Sequence, residues 1–220
     1  MNRSQLKWFS IITMLIDHIG ILLKPVISLE TYCLLRIIGR ISFPIFAYLL
    51  VDGFIRTKNY NKYLSRIFLF AIISEPLHSY FLYQNIFAAG LNVLFTFFFS
   101  LIVLKLLQIA KENRPIKSIV CLIGIITVTG LTYLLECEYS YKAIFIILLF
   151  YIFKDKTLIR NLMVIAVLLI TNSWIGWFSI FALVPIYLYN NQPSKFPKWF
   201  GYAFYPLHLI VLIVIKIIFI

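Results

Sequence analysis

Asp17 and His18 stand side by side in an apolar stretch, Leu6 to Leu23, and Arg36 and Arg40 lie one helical turn apart in the next, Tyr32 to Ile55. An imidazole titrates near neutral pH and suits general-base work. A pair of guanidiniums suits holding an anion or a developing oxyanion. Glu75 and His78, at i and i+3, and His208 place further ionisable groups in later apolar stretches. Such groups are costly inside a membrane span and mark functional sites by default. Two chemistries fit them: proton abstraction beside an anion-stabilising pair, or a chain of proton carriers. The plainer alternative is structural. His18 would then bond a neighbouring helix, and the arginines would pair with Asp17 and Glu75 to hold the bundle together.

The elements that position these groups follow from composition. The chain is 62% hydrophobic and 13% charged over 220 residues, more apolar surface than a soluble domain of that size can hide. Its mean hydropathy of +0.96 points the same way. The expected fold is therefore all-α, a polytopic transmembrane helical bundle of about nine spans. These are Leu6–Leu23, Tyr32–Ile55, Tyr63–Tyr83, Leu91–Ala110, Ile116–Leu135, Tyr139–Phe153, Asn161–Thr171, Trp174–Tyr189 and Trp199–Ile220. The sixth, seventh and eighth are short; either Asn172 and Gly176 mark a turn or the seventh and eighth are partly re-entrant, so the count runs from eight to ten.

Loop charge sets the orientation. Basic residues collect at Arg3 and Lys7, at Arg56, Lys58, Lys62 and Arg66, at Lys111, Arg114 and Lys117, at Lys154, Lys156 and Arg160, and at Lys195 and Lys198. The intervening loops carry only Lys24 and Lys142, with the acids Glu30, Glu136 and Glu138. The positive-inside rule then puts the N-terminus in the cytoplasm and the C-terminus outside. This alternation also accounts for the net charge of +12 without a nucleic-acid partner. No loop is long enough to fold alone, so residues 1–220 read as one membrane-embedded domain. No cleavable signal peptide is expected. Cys33, Cys121 and Cys137 have no metal-like spacing and read as apolar thiols, although a Cys33–Cys137 disulfide fits their expected positions too.

Counting depth at ~1.5 Å per residue puts His18 ~18 Å from the inner end of its helix. Asp17, Arg36, Arg40, Glu75, His78 and His208 fall at comparable depths. Asp17 and His18 diverge by ~100° around their helix. That separates their tasks, with Asp17 as the partner of an arginine and His18 facing the reaction space. Pro44 and Pro76 are expected to kink the second and third spans beside these groups. Asp52 and Arg56 read as a rim salt bridge, and the basic run Arg56 to Arg66 as either positive-inside bias or a site for donor phosphates. Phosphate-binding glycine loops and zinc-protease or serine-hydrolase motifs are absent from the sequence, and no metal is expected.

Several strings carry a family resemblance. Ile12-Thr13-Met14-Leu15-Ile16-Asp17-His18-Ile19-Gly20 resembles the first-helix signature of the TraX family. Ile38-Gly39-Arg40-Ile41-Ser42-Phe43-Pro44, Asp52-Gly53-Phe54, Ser74-Glu75-Pro76, Asn92-Val93-Leu94-Phe95-Thr96 and Phe204-Tyr205-Pro206-Leu207-His208 resemble its later helices in order. The family's Asp-Tyr motif is present only as Glu138-Tyr139, and Ser100 stands where Gly is expected.

The resemblance implies a multi-pass plasma-membrane acetyltransferase, with acetyl-CoA as donor and an extracytoplasmic acceptor. That acceptor would be a pilin-like peptide N-terminus or a surface glycan. By the same resemblance His18 would be the base, with Arg40 and Arg36 stabilising the oxyanion or holding the donor. Asp17 would orient the arginines, with Glu75 and His208 in support. Arg56, Lys58, Lys62 and Arg66 would hold the phosphates of the donor. Direct transfer and a ping-pong route through acetyl-His18 both fit. A proton-coupled transporter is the alternative from the buried acids and histidines, and a non-catalytic assembly factor for a surface apparatus is a third reading.

Overall fold

The computed structural model describes residues 1–112, 115–192 and 196–219. Arg114, Lys195 and Ile220, used above in the charge alternation and the last span, lie outside them. Every regular element among the described residues is helical. They are α1 (Arg3–Leu23), α2 (Leu29–Arg40), α3 (Ser42–Arg56), α4 (Tyr60–Tyr83), α5 (Val93–Ala110), α6 (Pro115–Leu134), α7 (Ser140–Ile152), α8 (Thr157–Thr171), α9 (Trp174–Trp177), a 3-10 helix (Phe178–Ala182), α10 (Leu183–Tyr187) and α11 (Lys198–Phe219).

Five stretches are long and apolar enough to cross a membrane: Arg3–Leu23, Leu29–Arg56, Val93–Ala110, Pro115–Leu134 and Trp199–Phe219. The remaining four expected spans differ for separate reasons. α4 has the length, 24 residues, but carries Lys62, Arg66 and Glu75. α7 and α8 have 13 and 15 residues, short for a hydrocarbon core of ~30 Å. The eighth span is no single helix. It is assembled from α9, the 3-10 helix and α10, because apolar composition alone does not specify the helix type.

The chain divides into two compact units, Met1–Leu49 with Asp155–Ile220, and Leu50–Lys154. In the first, α1 packs along α2 and against α11, and α2 also meets α9 and the 3-10 helix. Asn2 opens α1 with a capping box. Its Oδ1 accepts from the Gln5 backbone N–H at 2.9 Å, and the Gln5 side chain accepts from the Asn2 N–H at 2.8 Å. The second expected span breaks at Ile41. Pro44 has no N–H to offer the Arg40 carbonyl, so the hydrogen-bond ladder is interrupted there although Ile41 keeps helical backbone angles. Pro76, by contrast, sits inside α4, which runs on to Tyr83.

The second unit is built around α5, which packs on α4, α6 and α7. Phe81, Leu101, Leu104, Ile144, Ile147 and Phe150 form its core. α6 presents Ile116, Ile119, Val120, Ile123 and Ile126 outward, a face that suits lipid. Cys33, Cys121 and Cys137 are all free thiols, so the disulfide considered above is not formed.

Candidate functional site

In the first unit α1, α2 and α11 bring together Asp17, His18, Arg36, Arg40 and His208. Arg36 Nη1 donates to Asp17 Oδ2 at 2.6 Å, and Arg40 Nη2 donates to both Asp17 oxygens at 3.1 Å. One helical turn separates the two arginines, so both reach one carboxylate on the neighbouring helix. The three side chains are 13–20% exposed. Their formal charge sums to +1, the sign that stabilises a developing oxyanion. Gly39 makes this approach feasible. A Cβ there would fall on the Asp17 carboxylate, so only a glycine lets α1 come this close to α2.

His18, the next residue along α1, is offset by ~100° around the helix from Asp17. Its Nδ1 lies 2.9 Å from the Met14 carbonyl, which can only accept. In the neutral ring Nδ1 therefore carries the proton and Nε2 the lone pair. His208 of α11 is held in the same way by the Phe204 carbonyl, also at 2.9 Å. The two rings meet edge to face, with centroids 4.9 Å apart at 66°.

Glu75 and His78 belong to a different group, in the second unit. Asn92 donates to Glu75 Oε2 twice, from its backbone N–H and from Nδ2, each at 2.8 Å. Ser79 Oγ donates to Oε1 at 3.0 Å. Asn92 also caps α5, accepting from the Leu94 N–H at 2.9 Å, and donates to the Ala71 carbonyl at 2.9 Å. Glu75 thus fastens α4 to the start of α5. His78 is buried between two carboxylates, with Nδ1 4.0 Å from Glu75 and Nε2 3.6 Å from Glu138. The Glu138 backbone is docked by its N–H on the Leu91 carbonyl at 2.8 Å and by Thr96 Oγ1 on its own carbonyl at 2.5 Å. Gly90, at φ +96°, turns the chain where the Glu136 carbonyl comes close.

Arg56 Nε donates to Asp52 Oδ1 at 2.7 Å, the rim salt bridge expected from their spacing. Lys58 and Lys62 are exposed and Arg66 is half-buried.

Sequence reasoning did not connect Asn92 and Ser79 to Glu75, nor Glu138 to His78. A signal for the histidines was present, since Pro-Leu-His occurs at both 76–78 and 206–208. The shared tripeptide leads to different partners. His208 bonds its own helix, and His78 faces a loop acid.

The profile of the TraX protein family matches residues 2–216. The chain is also 28% identical to the probable fimbrial assembly protein FimC, serogroup H1, of Dichelobacter nodosus. The match covers 94% of this chain and 93% of that protein. No solved structure matches. With the first-helix Asp-His pair, Gly39 and Arg40 at the end of α2 and the last-helix His208 all inside the matched residues, the chain belongs to the TraX protein family.

Proposed function

We propose that this protein is a multi-pass membrane acyltransferase. It moves an acyl group, most simply acetyl, from cytoplasmic acetyl-CoA to an amine or hydroxyl of an extracytoplasmic acceptor. The observation that carries this reading is the pairing of a base with a cationic cradle. His18 keeps the lone pair on Nε2, one residue from an aspartate that holds two guanidiniums. His18 takes the proton of the acceptor as it attacks the thioester. Arg40 and Arg36 stabilise the oxyanion, and Asp17 holds them in place. The fimbrial assembly name of the relative supports a surface-fibre subunit as the acceptor, and a surface glycan has the same attacking atoms. The charge alternation supports a cytoplasmic N-terminus and about nine crossings. The basic segment with Arg56, Lys58, Lys62 and Arg66 would then face the donor's compartment and bind its phosphates. Glu75 has a role within its own unit, where it fastens α4 to the start of α5.

Transfer from labelled acetyl-CoA in reconstituted membranes tests the reading. His18→Ala should lower turnover ~10²–10⁴-fold and Arg40→Ala ~10²–10³-fold, in variants that still fold. Full transfer by both folded variants would overturn the site assignment. No transfer from any acyl-CoA by the wild type would overturn the enzyme class.

One observation favours a second reading. His78 between Glu75 and Glu138 is the kind of arrangement a proton relay needs. Uptake into proteoliposomes driven by a pH gradient, without acyl-CoA, would select a proton-coupled transporter instead.

A further inference from the structure

Nε2 of His208 is a buried atom to which acyl transfer by His18 alone gives no task. His208 is 5% exposed, and among the described residues this nitrogen has no hydrogen-bond partner. The ring is not free to turn away. Nδ1 is committed to the Phe204 carbonyl, Phe204 stacks on the ring at 5.1 Å and 4°, and Tyr205 lies 5.5 Å off. A buried acceptor without a donor costs ~1–3 kcal/mol. Such an atom needs an explanation, and a donor that is present only during turnover supplies one. The neighbouring ring is His18, 4.9 Å away and held in the same tautomer.

The charges around the pair limit how many protons it can hold. From α1 come Asp17 and His18, from α2 Arg36 and Arg40, and from α11 Tyr205 and His208. Asp17, Arg36 and Arg40 already sum to +1. Two imidazolium rings at this spacing would repel each other and that cluster, so the arrangement favours at most one proton on the pair.

We propose that His18 and His208 act as a one-proton pair, in which His208 accepts at Nε2 the proton taken by His18 and delivers it to the departing thiolate of the donor. The inference rests on the acyl-transfer reading and gives His208 a defined role in it. The acceptor nitrogen or oxygen bonds to the acyl carbon, and its proton goes to His18 Nε2. The carbon–sulfur bond breaks and its electron pair leaves with sulfur. The proton passes to His208 Nε2 and then to sulfur. The products are the acylated acceptor and the free thiol, and both rings return to their starting state.

The test compares two donors in nanodiscs: acetyl-CoA, and the acetyl thioester of 5-thio-2-nitrobenzoate, whose acidic thiol leaves without a proton. His208→Gln keeps a hydrogen-bonding group but cannot carry a proton. Its turnover with acetyl-CoA should fall ~10²-fold, with KM near that of wild type, and the loss should shrink below ~10-fold with the aryl thioester. Equal losses with both donors would mark a merely structural residue, and no loss an idle one. Either result overturns the pair. Histidine-selective ¹⁵N NMR of the wild type provides a measurement independent of the variant's folding and of donor choice. The two rings should gain one proton between them as the pH is lowered to about 5, and uptake of two overturns the proposal. Wild type inactive with both donors while the NMR shows one shared proton would reject acyl transfer and the delivery step, leaving the pair itself standing.

Discussion

At the scale of single residues, Asp17 carries the most structural weight in the proposed site. Two guanidiniums depend on its carboxylate, and its own side chain is 13% exposed. Asp17→Asn leaves both arginines facing a neutral group. Removing one partner of a buried ion pair destabilises by roughly 3–5 kcal/mol. Thermal unfolding in detergent should show this as a large drop, and an unchanged midpoint would mean that the cluster does not hold α1 to α2. Cys137 gives a second prediction. Burial, and after it the charge of Glu75, push its thiol up to about 11. The thiolate is the reactive form, so alkylation by iodoacetamide should be slow at neutral pH and rise only as the pH approaches that value. Rapid labelling at pH ~7.5 in the folded protein, followed by mass spectrometry, would contradict it. The Asp17 pairing was legible in the sequence because Arg36 and Arg40 share a helix face. The partners of Glu75 were not, because Asn92 reaches it across a loop and its amide type alone does not indicate which carboxylate it binds.

At the scale of elements, close helix approach and backbone breaks decide where the groups sit. Gly39→Ala puts a methyl group onto the Asp17 carboxylate, and neither helix backbone can yield cheaply. Overpacking of this kind costs about 1–3 kcal/mol, and here it would also loosen both arginine contacts. The variant should unfold at lower temperature and lose transfer activity together. Wild-type behaviour in both assays would show that α1 and α2 stand further apart. Pro44 announced the break between α2 and α3, since the missing N–H is a property of one residue and needs no tertiary context. Pro76 carried the same signal without the same result, because α4 runs through it. The three short pieces that replace the eighth span were only partly legible: Asn172 and Gly176 pointed to a turn or a re-entrant segment, but Trp174 to Tyr187, polar only at Ser179, has no period from which to read the helix type.

At the scale of the whole molecule, hydropathy and loop charge set the relation to the membrane. Five stretches have the length and composition to cross it. The shorter α7 and α8 can contribute crossings only where the bilayer thins or neighbouring protein covers their ends. The charge alternation gives a direct prediction. A reporter active only in the cytoplasm should work when fused before Met1 or within residues 57–59. It should be silent when placed at 85–90 or after the last helix. The opposite pattern would reverse the direction of the proposed transfer.

Much of this protein is determined locally. An apolar run, a proline and a one-turn spacing of arginines each act within a few residues, so the helices, the break at Ile41 and the shared face of Arg36 and Arg40 follow from the sequence by itself. Partner choice is not local. Only the tertiary structure decided that His208 lies against His18, 190 positions earlier in the chain, or that Glu75 turns to Asn92 and His78 to Glu138. Helical periodicity says which way a side chain points on its own helix. What it meets there depends on how distant helices pack, and an isolated helix carries no record of that packing.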